Sequence, residues 1–395
     1  MHPTIATLAR VPLLRSVFLL NFILSLHYFL VVYINSSFVS AFFSKEKMGF
    51  LFTLGSVGAL LAFLLAPLII KKQGLHRFFL ASIVVEAIAV AGMLSGKSAV
   101  GVLPFFLLHL VIVPFLPYCL DIFLEGAWKK EGDTGLLRGL HLTLTNIALI
   151  GSPLLLALIL RDGTEFGGVY LLSLLLLIPA FFLSSARIKE KFHSSVHLVR
   201  KETLKRAILS HNDTAFAITA HFVLQFFYAW MVIYTPLYLS TVIGFDWSEI
   251  GLIFTIMLIP FAVFEIPVGE AADRWWGEKE LMTIGFVIMA GSVFWIPFIK
   301  ETSFLFWTLV LLATRIGASI VEITTESYFF KQIDEDDTDL ISLFRMTRPL
   351  SLIVAPLVAT FALTILSLSF GSSFFILSVI VALGVVASLS IKDSL

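Results

Sequence analysis

The feature that most constrains this chain is a succession of continuous apolar runs, each about 20 residues long, which is the length of a helix that crosses roughly 30 Å of hydrocarbon. The runs do not alternate between apolar and polar residues, so helices are predicted rather than the strands of a membrane barrel. With 58% hydrophobic and 14% charged residues, the chain is too apolar for a soluble domain. The sequence therefore predicts an all-α membrane protein.

Twelve apolar runs are predicted to cross the membrane, six on each side of a polar stretch. They cover residues 17–39, 48–70, 78–95, 102–123, 136–160, 169–185, 213–239, 249–268, 281–299, 304–329, 340–366 and 372–391. The first run is too long for a signal peptide and lacks a small-residue cleavage site behind it, so we expect it to be retained. The predicted domains are an N-terminal six-helix bundle (1–185), a cytoplasmic basic linker (186–212) and a C-terminal six-helix bundle (213–395).

The distribution of Lys and Arg predicts the orientation of the chain. With the N-terminus inside, nineteen of these residues fall in inner segments and five in outer loops. Cytoplasmic segments retain positive charge, so both termini are predicted to lie in the cytoplasm of a multi-pass protein of the inner (cytoplasmic) membrane. The basic linker is either solvated or an amphipathic helix on the headgroups. The formal net charge is +0 and provides no general attraction to nucleic acid.

The two halves resemble each other in sequence. Gly49 and Thr53 align with Gly251 and Thr255, an offset of 202 (251 minus 49). "GDTGLLRG" in the first half matches "DDTDLISL" in the second at a similar offset. Parallel repeats of this kind are common in transporters, so we expect twelve transmembrane helices arranged as two pseudo-symmetric six-helix bundles.

A charged motif, "GEAADRWWGEK", lies between the eighth and ninth runs. It resembles the signature loop of the major facilitator superfamily. The matching positions are Gly269, Asp273, Arg274, Gly277 and Lys279. The motif differs in one extra residue, Trp276, and in Glu278, where a cation is usual; the first-half copy "PLIIKKQGLHR" has no Asp. The resemblance implies a secondary transporter with the superfamily fold, whose first, fourth, seventh and tenth helices line a central cavity.

Charges near the inner helix ends suggest a latch that favours one inclination of the halves. By position, Arg274 and Lys279 are expected to pair with Glu322 and Glu326. In the first half the corresponding candidates are Lys72, Arg77, Asp121 and Glu125. The alternative is that these charges only fix short loops at the headgroups, where a charge costs little.

Arg315 lies near the middle of the tenth run, where a charge costs about 2.5 to 3.5 kcal/mol. Helical spacing places Ser319, Glu322 and Glu326 on the same face. This face either lines the substrate cavity or forms structural ion pairs, for which Arg345 and Arg348 are candidate partners of the two glutamates.

Polar stripes on the first and seventh runs are predicted to contact the substrate. They comprise Asn21, Ser25, Tyr28 and Asn35 in the first run, and His221, Gln225, Tyr228 and Thr235 in the seventh. Polar packing between helices is the alternative.

Four ionisable residues are candidates for proton coupling: His27, Glu86, Glu322 and Glu326. His27 and Glu86 have similar predicted depths, and carboxylates and imidazoles carry protons in many membrane proteins. A structural pair is the alternative. His109 is interpreted as a core residue.

The predicted function is secondary active transport of a small solute by alternating access, coupled to a proton, with drug-like and amphipathic metabolites as candidate solutes. The sequence has no P-loop, H-E-x-x-H or C-x-x-C motif, so no enzymatic activity, metal or cofactor is predicted. The expected partners are a small-molecule substrate, the lipid bilayer and a coupling proton, and the chain is expected to be a monomer. Two alternatives are a polytopic receptor or scaffold that retains the fold without transport, and a membrane-embedded enzyme, for which no catalytic cluster is found.

Overall fold

The computed structural model describes residues 12–127, 134–161, 163, 165–188, 212–299, 302–332 and 338–392. The predicted linker lies almost entirely outside these residues. All regular secondary structure in the described parts is helical. The α-helices are α1 (Pro12–Val32), α2 (Asn35–Ser40), α3 (Lys45–Gln73), α4 (Leu75–Ser95), α5 (Ala99–Ile112), α6 (Phe115–Ala127), α7 (Thr134–Leu160), α8 (Gly167–Arg187), α9 (Asn212–Tyr238), α10 (Trp247–Val263), α11 (Glu265–Ala271), α12 (Gly277–Trp295), α13 (Phe304–Lys331), α14 (Thr338–Thr364) and α15 (Ser373–Ser390). Short π-helices cover Leu239–Ile243 and Ala272–Trp276, and a 3₁₀ turn covers Ile296–Phe298.

The helices named above correspond to twelve predicted membrane crossings. Among the described residues, eleven stretches are long and apolar enough to span a membrane, and α10 is a shorter apolar helix. The predicted all-α architecture with twelve transmembrane helices is therefore confirmed. Polar backbone groups have no water to bond in hydrocarbon, and helices satisfy these groups internally.

Three of the crossings are interrupted in the structure, although each is a single continuous apolar run in the sequence. The first crossing breaks at Tyr33 and Ile34, between α1 and α2, and the fourth breaks before Pro114, between α5 and α6. The eighth ends at Val263 rather than near residue 268. Pro267 has no N–H to donate to the Val263 carbonyl, so the helix stops and a new one begins with Pro267 in its first turn.

Contacts divide the chain into two units. Unit 1 comprises Met1–Phe43 and Leu54–Val196, and unit 2 comprises Ser44–Thr53 and His197–Leu395. The first residues of α3 thus group with unit 2, where the Thr53 hydroxyl donates a hydrogen bond to the Ile353 carbonyl at 3.3 Å. The expected N-terminal bundle includes this segment, whereas its contacts group it with the second half.

The same packing pattern occurs within each unit. In unit 1, α1 packs on α7 and α8, and α4 packs on α5 and α8. In unit 2, α9 packs on α14 and α15, and α12 packs on α13 and α15. These pairs occupy equivalent places in the element order, which is what a duplicated six-helix unit requires.

Close packing of α12 on α13 depends on two glycines. A Cβ added at Gly317 would lie 2.5 Å from the Gly285 carbonyl oxygen, and one added at Gly285 would lie 2.8 Å from the Gly317 carbonyl oxygen. Small residues let membrane helices approach until their backbones touch. The position of α13, which carries Arg315, is therefore fixed by backbone contact.

Candidate functional site

The polar stripe on α1 bonds to other helices of unit 1. Asn21 is buried, and its amide nitrogen donates to the His141 carbonyl at 2.9 Å and to the Thr145 hydroxyl at 3.0 Å, both on α7. The Ser25 hydroxyl donates back to the Asn21 side-chain oxygen at 3.4 Å. These bonds favour the alternative role for Asn21, polar packing between helices.

Further along the first crossing, Tyr28 packs against the apolar core of unit 1 and contacts Phe29 edge to face, with ring centroids 5.1 Å apart. Asn35 is buried and accepts a hydrogen bond from the Tyr170 hydroxyl at 2.8 Å. Its other polar contacts are inside the unit as well. Their use in substrate binding stays a prediction.

The α9 stripe has a related arrangement in unit 2. The His221 ring bonds the Thr347 hydroxyl of α14 at 2.6 Å and stacks on Phe344, with ring centroids 3.9 Å apart. Gln225 bonds the other ring nitrogen of His221 at 3.2 Å. Asn21 and His221 thus hold equivalent helix pairs together, α1 with α7 and α9 with α14. Thr235 is buried, and its hydroxyl contacts the Met231 sulfur at 3.3 Å.

The charged face of α13 forms a compact group with α9, which we name the Arg315 group: Phe227, Tyr228, Arg315 and Glu322. The guanidinium carbon of Arg315 lies 5.1 Å from the Phe227 ring centroid and 5.8 Å from that of Tyr228. The Tyr228 hydroxyl donates to Glu322 Oε2 at 3.0 Å. Arg315 is buried and Glu322 is half-buried. Two opposite charges and two aromatic faces therefore meet within unit 2.

The other residues predicted on this face contribute less to the Arg315 group. Ser319 is buried, and its hydroxyl donates to the Ile316 carbonyl of its own helix at 3.0 Å. Glu326, one turn beyond Glu322, is exposed. The suggested partners Arg345 and Arg348 lie exposed on α14, and Tyr228 bonds Glu322. The pairing of these arginines with the two glutamates stays a prediction. The Tyr228 hydroxyl reaches the carboxylate across the α9–α13 contact.

Glu86 and His27 form the predicted contact, and a second imidazole joins them. Glu86 Oε1 lies 3.2 Å from His27 Nε2 and 2.6 Å from His109 Nδ1. All three side chains are buried. His109 is therefore a partner of the carboxylate, and its interpretation as a core residue was incomplete. Nothing in the local sequence signals this contact, because α4 and α5 bring the two residues together through tertiary packing.

The motif loop begins with α11 and ends with a glycine turn. Gly269 lies within α11, and Gly277 follows the π-helix with φ 78° and ψ 156°. Gly74, between α3 and α4, has nearly the same conformation, φ 86° and ψ 149°. Both pairs of angles lie in a region that residues with a Cβ rarely enter, so each of these turns requires glycine. The Asp273 side chain lies outside the described residues.

Ion pairs at this loop differ from those predicted. Arg274 pairs with Glu270 of its own turn at 2.7 Å, and both side chains are exposed. The buried Glu278 instead pairs with Lys331 at the end of α13, at 2.5 Å, and accepts a hydrogen bond from Ser327 at 2.8 Å. The expected pairing of Arg274 and Lys279 with Glu322 and Glu326 stays a prediction.

In the Glu278–Lys331 ion pair, the acid and the cation lie on the opposite elements from those predicted for a pair between the loop and α13. The acid is on the loop, at Glu278, and the cation is on α13, at Lys331. Lys279 lies next to this pair in sequence, and its carbonyl accepts a hydrogen bond from Thr283. A carboxylate in the first turn of α12 also suits the positive end of the helix dipole.

In the first half, Asp121 lies 3.8 Å from His141 Nε2 of α7. The pairing of Asp121 and Glu125 with Lys72 and Arg77 stays a prediction. Lys72 and Arg77 are exposed. Long cationic side chains at helix ends extend into water at little cost. The Glu125 side chain lies outside the described residues.

A separate cavity of about 650 Å³ lies in unit 2 between α12 and α13. Its lining residues are aliphatic or aromatic except for Ser292. The lining residues are Ser292, Trp295, Phe298, Ile299, Phe306, Leu309, Val310 and Ala313. It contains no charged side chain and is distinct from the Arg315 group. Among the described residues, no three His, Cys, Asp or Glu side chains are arranged to hold a metal ion.

Comparison with known proteins agrees with this geometry. Residues 243–394 match the sequence model described as Major Facilitator Superfamily. The C-terminal part of the chain is thus similar in sequence to the major facilitator superfamily. Comparison with curated protein sequences gives no match.

Solved structures match the fold of nearly the whole chain. The crystal structure of the nucleoside transporter NupG superposes with a TM-score of 0.70 and 13% identity, covering 96% of this chain and 100% of that one. A mutant of NupG gives a TM-score of 0.69 and 13% identity, covering 96% of this chain and 99% of that one. At this identity the likeness shows the fold alone. The chain is therefore a multi-pass membrane protein with the fold of these structures.

Proposed function

We propose that this protein is a secondary transporter that moves a small solute across the cytoplasmic membrane by alternating access. The proposal is supported above all by the Arg315 group. A buried arginine in a membrane helix costs about 2.5 to 3.5 kcal/mol, and residues of this kind commonly mark solute or ion pathways. Both termini are proposed to be cytoplasmic, because the inner segments carry most of the Lys and Arg.

The Arg315 group would bind a solute through three kinds of contact. The guanidinium presents donors to an anionic or polar oxygen, Glu322 presents an acceptor, and the faces of Phe227 and Tyr228 suit a planar or apolar part. A polar molecule with an aromatic ring matches this set. Nucleosides belong in the test panel because NupG, which shares the fold, is a nucleoside transporter.

Flux into liposomes tests the proposal directly. Purified protein would be screened by thermal shift against nucleosides, organic anions, amphipathic cations and drug-like metabolites, and each stabilising compound would then be followed as a radiolabelled solute in proteoliposomes. We expect flux above that of empty liposomes for at least one class. If no solute in the panel enters, the receptor or scaffold alternative gains support.

Arg315→Ala then tests the site. Loss of hydrogen bonds to a charged group costs about 1.5 to 3 kcal/mol, so flux should fall by about tenfold or more. Arg315→Lys keeps the charge but not the planar guanidinium, so it should rescue little. Arg187→Ala, at an exposed site on α8, is the matched control. Unchanged flux in Arg315→Ala would remove Arg315 from the substrate site.

Proton coupling is part of the proposal. The buried His27 and Glu86, and the glutamates Glu322 and Glu326, are the candidate carriers. An imposed pH gradient should drive solute accumulation against its concentration gradient. If flux is the same with and without the pH gradient, proton coupling should be abandoned.

A further inference from the structure

Three ionisable side chains from three helices of unit 1 meet in one buried cluster. His27 of α1, Glu86 of α4 and His109 of α5 share a single carboxylate oxygen, Glu86 Oε1, at 3.2 and 2.6 Å from the two rings. Their side chains are no more than 1% exposed. Burial of an ionised group costs several kcal/mol unless the group is paired or neutralised, so the charge of this cluster determines its stability.

The ring nitrogen of His27 that faces away from Glu86, Nδ1, has a hydrogen-bond partner whether or not it carries a proton. Nδ1 lies 2.7 Å from the Ser173 hydroxyl and 3.1 Å from the Ser173 carbonyl oxygen. The hydroxyl can donate to a bare nitrogen, and the carbonyl can accept from a protonated one. Neither state of His27 leaves Nδ1 without a hydrogen bond.

His109 has the same freedom through a side-chain amide. Its Nε2 lies 3.1 Å from Asn35 Nδ2, and the Tyr170 hydroxyl donates to Asn35 Oδ1 at 2.8 Å. In this arrangement Asn35 donates to a neutral His109. Rotation of the amide by half a turn would present its oxygen to a protonated Nε2 and its nitrogen to the Tyr170 oxygen, which can also accept.

The charge of the cluster favours uptake of one proton. With both imidazoles neutral and Glu86 ionised, the net charge is one negative charge, and Glu86 Oε2 has no hydrogen-bond partner among the described residues. One added proton, on either imidazole or on Oε2, makes the cluster neutral and removes this cost. A second proton would create a buried positive charge. The groups that face the cluster from the surrounding helices are the two rings, the carboxyl, the Tyr170 phenol, Asn35 and Ser173.

We propose that the His27–Glu86–His109 cluster binds one exchangeable proton and is the proton site of this transporter, in a different unit from the Arg315 group. Uptake forms one N–H or O–H bond with a proton taken from water, release returns it to water, and no electrons are transferred. The coupling role rests on the proposed transport function. Proton binding does not, because it can be measured without a solute.

Infrared difference spectroscopy of the purified, solute-free protein tests proton binding. Spectra would be recorded between about pH 5 and pH 8, where an imidazole can change charge, with ¹⁵N-labelled histidine to assign ring bands. We expect a carboxyl or imidazole band that titrates in the wild type and is lost in Glu86→Gln. His76→Gln is the matched control, since His76 is half-buried in the same unit and bonds the Ser184 carbonyl outside the cluster. The His76→Gln spectrum should lack only the bands of the His76 ring.

A spectrum of Glu86→Gln that superposes on that of the wild type would overturn the proposal, because a static structural cluster does not titrate. If Glu86→Gln does not fold, Ser173→Ala decides. Loss of the hydroxyl removes the donor to neutral His27, so the midpoint of the band should move to higher pH by about 0.5 to 1 unit. If no carboxyl band titrates and the imidazole midpoint moves neither in Ser173→Ala nor in Asn35→Ala, which removes the donor to neutral His109, the proposal is also overturned.

Coupling is tested in proteoliposomes with any solute that the wild type transports. Glu86→Gln should still exchange the solute but should no longer accumulate it in response to a pH gradient. If Glu86→Gln accumulates the solute as the wild type does, the cluster is not the coupling site. Failure of every solute to move would count against transport itself, and the infrared result would still stand.

Discussion

Tyr228 and Glu322 join α9 to α13 through a hydrogen bond of 3.0 Å from the phenol to the carboxylate. The same Tyr228 ring lies 5.8 Å from the guanidinium carbon of Arg315. One aromatic side chain thus contacts both charges of the Arg315 group. The relative position of the cation and the anion should therefore depend on Tyr228.

Tyr228→Phe should lower solute flux by about tenfold, because it keeps the aromatic face but removes a hydrogen bond to a charged group, which contributes about 1.5 to 3 kcal/mol. Flux in proteoliposomes is the measurement. Tyr234→Phe on the same helix is the control, since the buried Tyr234 hydroxyl has no hydrogen-bond partner among the described residues. Equal losses in the two variants would mean that the bond to Glu322 has no special role.

Lys331→Met should destabilise unit 2 by about 1 to 3 kcal/mol, because it leaves the buried Glu278 carboxylate without its cation. The double variant Glu278→Gln with Lys331→Met should recover most of this loss. Thermal unfolding in detergent is the measurement. Arg274→Ala breaks an exposed pair and should cost at most about 1 kcal/mol. A larger loss for Arg274→Ala than for Lys331→Met would contradict the assignment of Glu278 as the buried partner.

Gly317→Ala should destabilise the protein by about 1 to 3 kcal/mol, since its Cβ would lie 2.5 Å from the Gly285 carbonyl oxygen and 2.9 Å from the Met289 nitrogen. Thermal unfolding again provides the measurement. Gly291→Ala, within α12, meets nothing within 4 Å and should be neutral or slightly stabilising. If both variants behave alike, α12 and α13 are not in backbone contact.

Gly74→Ala should cost about 1 to 2 kcal/mol through backbone strain alone. A Cβ at Gly74 meets nothing within 4 Å, but its φ of 86° is unfavourable for alanine. Gly74→Asn should cost less, because Asn tolerates positive φ better than Ala. Thermal unfolding is the measurement. If the two variants are equally stable, the loss has a cause other than φ.

The architecture could be predicted from the sequence because each crossing carries its own signal, a run of apolar residues of membrane length. The interruptions at Tyr33 and before Pro114 could not, since the apolar run continues through them. The stop at Val263 has a local cause in Pro267, but a proline alone does not determine whether a membrane helix kinks or ends.

Site residues could be predicted only where the signal lies on one helix. Arg315 and Glu322 share a face of α13, and their meeting with Tyr228 follows the predicted stripe. The partners of Glu86 and Glu278 come from other helices, so His109 and Lys331 carried no signal in helical spacing. Likewise, Asn21 lies on the expected stripe but bonds α7, because helical periodicity gives a face and not the neighbour of that face.

Gly74 and Gly277 have nearly the same backbone angles, although the residues around them have diverged. Both bends need a residue without a Cβ, whereas an acidic residue precedes only the second of them. A search for internal repeats in chains of this fold should therefore score the torsion angles of the bends beside side-chain identity, because here the angles agree where the side chains do not.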